Sequence, residues 1–79
     1  MSQHALRADT QGTVVAVGVS PGAVVAVADV LLHLEIMKMQ IPIESPVAGR
    51  VALIHVKLGD FVKEGDLLLT ISITSSASP

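Results

Sequence analysis

The chain contains no cysteine, tryptophan or tyrosine, and Phe61 is its only aromatic residue. Without cysteine there is neither a disulfide framework nor a thiolate zinc site. A core without aromatics must be assembled from Val, Leu, Ile and Ala, which dominate a composition that is 51% hydrophobic. Positive charge is scarce: five Lys and Arg against seven Asp and Glu leave a formal net charge of −2. Nucleic-acid binding calls for a basic stripe and stacking aromatics, so that class is excluded. The opening MSQHALRADT lacks the apolar stretch of a secretory signal, and a cytoplasmic protein is the expectation. The longest apolar run, residues 13–34, is cut by Ser20-Pro21-Gly22 and carries Asp29 and His33. Charge at those depths and strand-forming valine argue against a membrane span. At 79 residues the chain makes one domain, close to the smallest that an aliphatic core sustains.

What is present is a repeat. Residues 12–36 lie over residues 49–73 without a gap, at an offset of 49 − 12 = 37. Nine of the 25 positions are identical, among them Gly12/Gly49, Gly22/Gly59, Asp29/Asp66 and Ile36/Ile73. Glycine and aspartate recurring at turn positions mark a duplicated unit, and two copies predict internal pseudo-twofold symmetry rather than a solenoid. The halves run from about 4–36 and 41–73. Alternating apolar stretches between turn signals predict strands over 4–8, 12–19, 24–26, 30–36, 39–45, 49–56, 61–63 and 67–73. No segment keeps a helical period, so the fold class is all-β: a flattened barrel or sandwich of two small sheets. Gly22 and Gly59 are expected at positive φ. Ala28 stands where the second copy has Gly65, and Asp29 and Asp66 are expected to accept local backbone N–H bonds. Residues 1–73 form the domain and 74–79, TSSASP, a flexible tail.

The junction of the two copies is a hairpin at 36–39, and it breaks the usual chemistry of such turns. Two-residue hairpin loops favour Asn-Gly, yet here Lys38 stands between Met37 and Met39. Its counterpart in the second copy is position 75, beyond the repeat. A twofold operation therefore places Lys38 at one pole and both chain ends near the other. An amine in open solvent is almost wholly protonated at neutral pH and is a poor nucleophile by itself. Lysines that do chemistry are buried or set beside another cation, and nothing here buries Lys38. Another protein must deprotonate and use it. The flanking thioethers are flexible and polarisable, suited to filling a partner's pocket.

EIMKM, followed by QIPIESPVAGRV and VKLGDFVKEGDLLLTISI, closely resembles the biotinyl/lipoyl attachment family, in its biotin carboxyl carrier branch. The resemblance spans roughly residues 6–73. It implies two four-stranded antiparallel sheets about a pseudo-twofold axis, the barrel-sandwich hybrid. It also implies covalent biotin on Lys38, added by a biotin protein ligase, with Glu35, Ile36, Met37 and Met39 in recognition. The implied role is to carry a carboxyl group between a biotin carboxylase and a carboxyltransferase, as a monomeric carrier without catalysis of its own. In length the chain is similar to the small stand-alone attachment proteins. It departs from the family pattern at Ile36, where Ala or Ser is usual, and at Ala28, where Gly is common.

Two alternatives stay open. Lipoyl carriers typically flank their lysine with Asp on one side and Ala or Val on the other, so the two methionines favour biotin over lipoate. A barrel-sandwich adaptor without a cofactor would lack the Met-Lys-Met tip. His4, His33 and His55 have no paired ligands and no symmetry-related histidine, so no metal site is expected.

Overall fold

The computed structural model describes residues 2–73, so the tail expected at 74–79 lies outside the described residues. Eight strands follow in order: β1 (Ser2–Arg7), β2 (Gly12–Val17), β3 (Val24–Val25), β4 (Val30–Ile36), β5 (Met39–Glu44), β6 (Gly49–Ile54), β7 (Phe61–Val62) and β8 (Leu67–Ile73). All pairings are antiparallel, in two four-stranded sheets ordered β1-β8-β6-β3 and β5-β4-β2-β7. Among the described residues there is no helix, hence none long and apolar enough to cross a membrane.

Exchanging positions 37 apart carries the first sheet onto the second, because β1 corresponds to β5, β2 to β6, β3 to β7 and β4 to β8. Register follows. Ile36 faces Met39 across β4 and β5, and Ile73 faces Ser2 across β8 and β1. The bulge at Val14/Ala16 recurs at Val51/Leu53. The buried side chains pair at the same offset: Val14 with Val51, Val25 with Val62, Leu31 with Leu68, Leu32 with Leu69, Leu34 with Ile71, and Ala8 with Ser45. The last pair shares no chemistry, and sequence comparison alone does not detect it. Ser45 is tolerated in the core because its hydroxyl donates to the Val47 carbonyl at 2.6 Å.

Four tight turns join these strands, at Ser20–Ala23, Ala26–Asp29, Lys57–Asp60 and Lys63–Asp66. Each closes with a bond from its fourth N–H to its first carbonyl, at 2.9 to 3.1 Å. In three of them the fourth residue is aspartate, whose carboxylate accepts the first residue's N–H: Asp29 from Ala26, Asp60 from Lys57 and Asp66 from Lys63. The expectation for Asp29 and Asp66 holds, and Asp60 joins them although its repeat counterpart is Ala23. The strands predicted over 12–19 and 49–56 end two residues early, at Val17 and Ile54. Gly18 and His55 still donate single bonds to the Leu31 and Leu68 carbonyls, both at 2.8 Å, before the chain turns away.

The third turn position takes positive φ in every case: 94° at Gly22, 91° at Gly59, 93° at Gly65 and 76° at Ala28. An L-residue with a Cβ is strained there by about 1–2 kcal/mol. Ala28 is held nonetheless, because its N–H donates to the Ser45 carbonyl at 2.7 Å while the Ser45 N–H donates to Asp29 at 2.8 Å. The same pair of bonds links Gly65 and Asp66 to Ala8. Ala28 is exposed, so removing its methyl group forfeits no packing. Ala28→Gly is therefore expected to stabilise the fold by ~1 kcal/mol and to raise the melting temperature by about 4–8 °C in a calorimetric scan. An unchanged or lower melting temperature would show that the strain has been relieved elsewhere.

Candidate functional site

The hairpin joining β4 to β5 contains only Met37 and Lys38, and both take positive φ, 51° and 67°. A two-residue loop with both residues left-handed is the twist-matched connection between antiparallel strands, normally made by Asn-Gly. Here two long L side chains occupy it, at a combined cost of about 2–4 kcal/mol. The turn conformation is thus the ordinary one, and the residues filling it are not. Met37 is 90% exposed and Met39 63%, so neither folds back onto the barrel end. Lys38 is exposed between them.

The strand ends beneath the tip are set by close packing. A Cβ on Gly12 would lie 3.0 Å from both the Glu35 carbonyl oxygen and Ile36 Cγ1. Glycine at this point lets β2 run close under the last residues of β4. At Gly49 the added Cβ would collide with the Ser72 carbonyl oxygen, which explains why the glycine recurs. Ile36 is half-buried, and its counterpart Ile73 is the same residue. It packs over Gly12 at the end of the sandwich and is less exposed than the other residues expected in recognition. Glu35, one residue earlier and on the opposite face, is exposed and faces Thr13 on one side and Gln40 on the other.

The structure thus gathers Glu35, Ile36, Met37, Lys38 and Met39 around the β4–β5 hairpin, with Ile36 half-buried and the others exposed. It adds a residue that motif reading missed. Phe61 lies opposite Thr13 on the edge strand β7, is 58% exposed, and lines a groove of about 310 Å³ with Gln11, Gly12, Thr13, Glu35, Ile36, Met37 and Lys38. Its signal in the sequence was its singularity: the one aromatic residue, standing where the first copy has Val24. The histidines are elsewhere. His33 faces Pro42 within the sheet, and His55 Nε2 lies 3.0 Å from Thr70 Oγ1. Among the described residues no group of three or more His, Asp or Glu could hold a metal ion.

Comparison with known proteins gives consistent relatives. The family described as "Biotin-requiring enzyme" (Biotin_lipoyl) matches residues 4–71. The mitochondrial propionyl-CoA carboxylase alpha chain of Rattus norvegicus is 47% identical over 64 residues, 81% of this chain and 9% of that protein. The biotinylated protein TB7.3 homolog of Mycobacterium leprae is 43% identical over 67 residues, covering 85% of this chain and 94% of that one. A solved single-chain, multi-domain long-chain acyl-CoA carboxylase superposes with a TM-score of 0.85 at 40% identity, covering 92% of this chain and 7% of its own. The dihydrolipoyllysine-residue acetyltransferase of Mycoplasma capricolum also matches, at 39% identity over 87% of this chain and 16% of that protein. The chain therefore spans under a tenth of the carboxylases it matches and nearly all of the small biotinylated relative.

If the tip is strained, replacing its residues with natural turn formers must stabilise the protein. The double substitution Met37→Asn with Lys38→Gly is expected to add about 2 kcal/mol to unfolding stability, because Gly and Asn accept left-handed φ at little cost. In a urea titration the midpoint should rise with no change in slope. A lowered midpoint would mean that the methionine and lysine side chains contribute packing that outweighs the strain.

Proposed function

The chain belongs to the biotin/lipoyl attachment family as a biotin-carrier domain, and from that premise we propose that Lys38 is where biotin is covalently attached. The observation that carries this reading is the tip itself: a lysine held in strained left-handed backbone, exposed at the end of the molecule between two exposed methionines. Local strain at an exposed turn lowers stability and persists where the residues serve something other than folding.

Each neighbour has a part. The positive φ values of Met37 and Lys38 keep the connection at two residues, so the lysine stem starts from a fixed point rather than from a mobile loop. Met37 and Met39 offer apolar, adaptable contacts to an enclosing enzyme. Glu35, on the outer face one residue behind Ile36, supplies the single negative charge that lines the groove. No imidazole or thiol lines it. Removal of the proton from Nζ, which must precede its attack on an activated carboxyl group, therefore falls to the biotin protein ligase. The amide so formed leaves the stem and the cofactor chain as one long flexible arm on a rigid support. When bound, biotin would supply the site that accepts a carboxyl group from a biotin carboxylase and yields it to a carboxyltransferase.

On this reading residues 1–73 act as one unit, monomeric and cytoplasmic, visiting the ligase and the carboxylase components in turn. Lipoate is the weaker assignment, since thioether flanks differ from the acidic neighbour implied for lipoyl carriers. Co-expression with biotin and a biotin protein ligase, followed by intact-mass measurement, is expected to show one biotinyl increment. Lys38→Arg should abolish the increment and leave the unfolding stability within about 0.5 kcal/mol of the wild type, because an exposed side chain contributes little to the core. An unshifted wild-type mass would favour an unmodified adaptor, and a lipoyl increment the second cofactor. A variant that unfolds would contradict the exposed tip.

A further inference from the structure

We propose that the groove bounded by Phe61, Thr13, Gln11 and Glu35 is a resting berth for the fused ring system carried on Lys38, a cyclic urea joined to a sulfur heterocycle. The proposal rests on the reading of Lys38 as the biotin attachment site and assigns a second, non-covalent site on the same chain.

Three observations converge on it. First, Phe61, Thr13 and Glu35 are in direct register on β7, β2 and β4, so they form one row across the outer face of the sheet next to the tip. Second, the groove they bound has a volume of about 310 Å³, room for about ten waters at ~30 Å³ each. Its lining is mixed: Phe61, Ile36 and Met37 are apolar, and Gln11, Thr13 and Glu35 are polar. That is the composition a bicyclic urea requires. The aromatic face takes the sulfur ring, the carboxylate of Glu35 and the hydroxyl of Thr13 accept the urea N–H groups, and the amide of Gln11 donates to the urea carbonyl. Third, the duplicated fold contains its own control. The equivalent row at the other end is Val24, Arg50 and Ser72, with Val24 71% exposed. Exposure at this edge position thus comes with the fold. The aromatic residue occurs only in the row that borders the lysine.

Lys38 is itself part of the groove wall, so the ring would reach the berth by folding back on its own arm. An intramolecular contact is governed by effective concentration, and an affinity too weak to hold free biotin would still keep the tethered ring docked for much of the time. Docking would shelter the ring from solvent between partners, and a partner that covers the tip would displace it.

The test uses the full chain, biotinylated on Lys38 as verified by intact mass, and isotope-edited NMR. The expected result is nuclear Overhauser contacts between the Phe61 ring and the biotin rings, upfield-shifted biotin ring protons relative to free biotinyl-lysine, and amide shift changes reaching Gln11 and Thr13. Phe61→Leu, which keeps an apolar residue on the strand, should remove the upfield shift and at least halve the changes at Gln11 and Thr13. Val24→Leu should leave them intact. Sharp biotin signals at their free positions, with shift changes confined to residues 36–39, would overturn the berth while leaving the attachment reading untouched. An unshifted intact mass would overturn both. Shifts at Gln11 and Thr13 that arise only when a ligase is added would assign the groove to a partner and overturn the berth.

Discussion

The structure depends on an exchange of strands between its two halves. Each sheet takes its central pair from one copy and its edge strands from the other: β8 and β6 of the second copy lie between β1 and β3 of the first, and β4 and β2 of the first lie between β5 and β7 of the second. Neither copy can complete a sheet or cover its own leucines alone, so the duplication is a single cooperative unit rather than two small modules side by side. The first and last strands pair along their full length, from Ser2 with Ile73 to Arg7 with Leu67. That makes the fold rich in contacts distant in sequence, which suits rigidity more than speed of folding. For a chain with no disulfide and one exposed aromatic, this interlock is what allows an aliphatic core to suffice.

That rigidity has a use at the tip. Two left-handed L-residues cost about 2–4 kcal/mol, comparable to the burial of one or two leucines at ~1.5–3 kcal/mol each. Five leucines are fully inaccessible in the core, Leu31, Leu32, Leu34, Leu68 and Leu69, so the sum tolerates the strain. Positive φ by itself does not mark function, however. Ala28 has it too, and there the cause is the pair of backbone bonds to Ser45 and nothing is presented to a partner. What separates Met37 and Lys38 from Ala28 is the combination of strain, long side chains and near-complete exposure. Strain indicates that local chemistry was overridden; only the exposed groups indicate for what.

Much of this was legible in the sequence because turn residues and core residues recur at one interval. The offset of 37 by itself locates the strands, the tip and the pseudo-twofold relation. Three things escaped it, each for a physical reason. Ala8 and Ser45 are equivalent through backbone bonds and burial, which a hydroxyl-for-methyl difference conceals. Asp60 caps its turn where the first copy has Ala23, so the repeat gave no hint of it. The third is Phe61, whose relation to Lys38 depends on β7 pairing with β2, a contact between the two copies that no local pattern encodes.

Attachment at Lys38 would change the tip in a way that bears on the order of its encounters. Amide formation removes one positive charge, taking the formal net charge from −2 to −2 − 1 = −3 and leaving Glu35 as the charged group nearest the turn. Before modification the tip would present a cation between two exposed thioethers; afterwards it would present the same two thioethers with a neutral arm between them. On the proposed reading, a ligase that deprotonates the amine and a carboxylase that receives a neutral ring would face different surfaces on the same residues. Specificity is a difference of affinities, and a charge lost on modification would weaken the first complex as it permits the second. The direction of traffic along the carrier would then follow from the chemistry of its own modification, with no movement of the scaffold required.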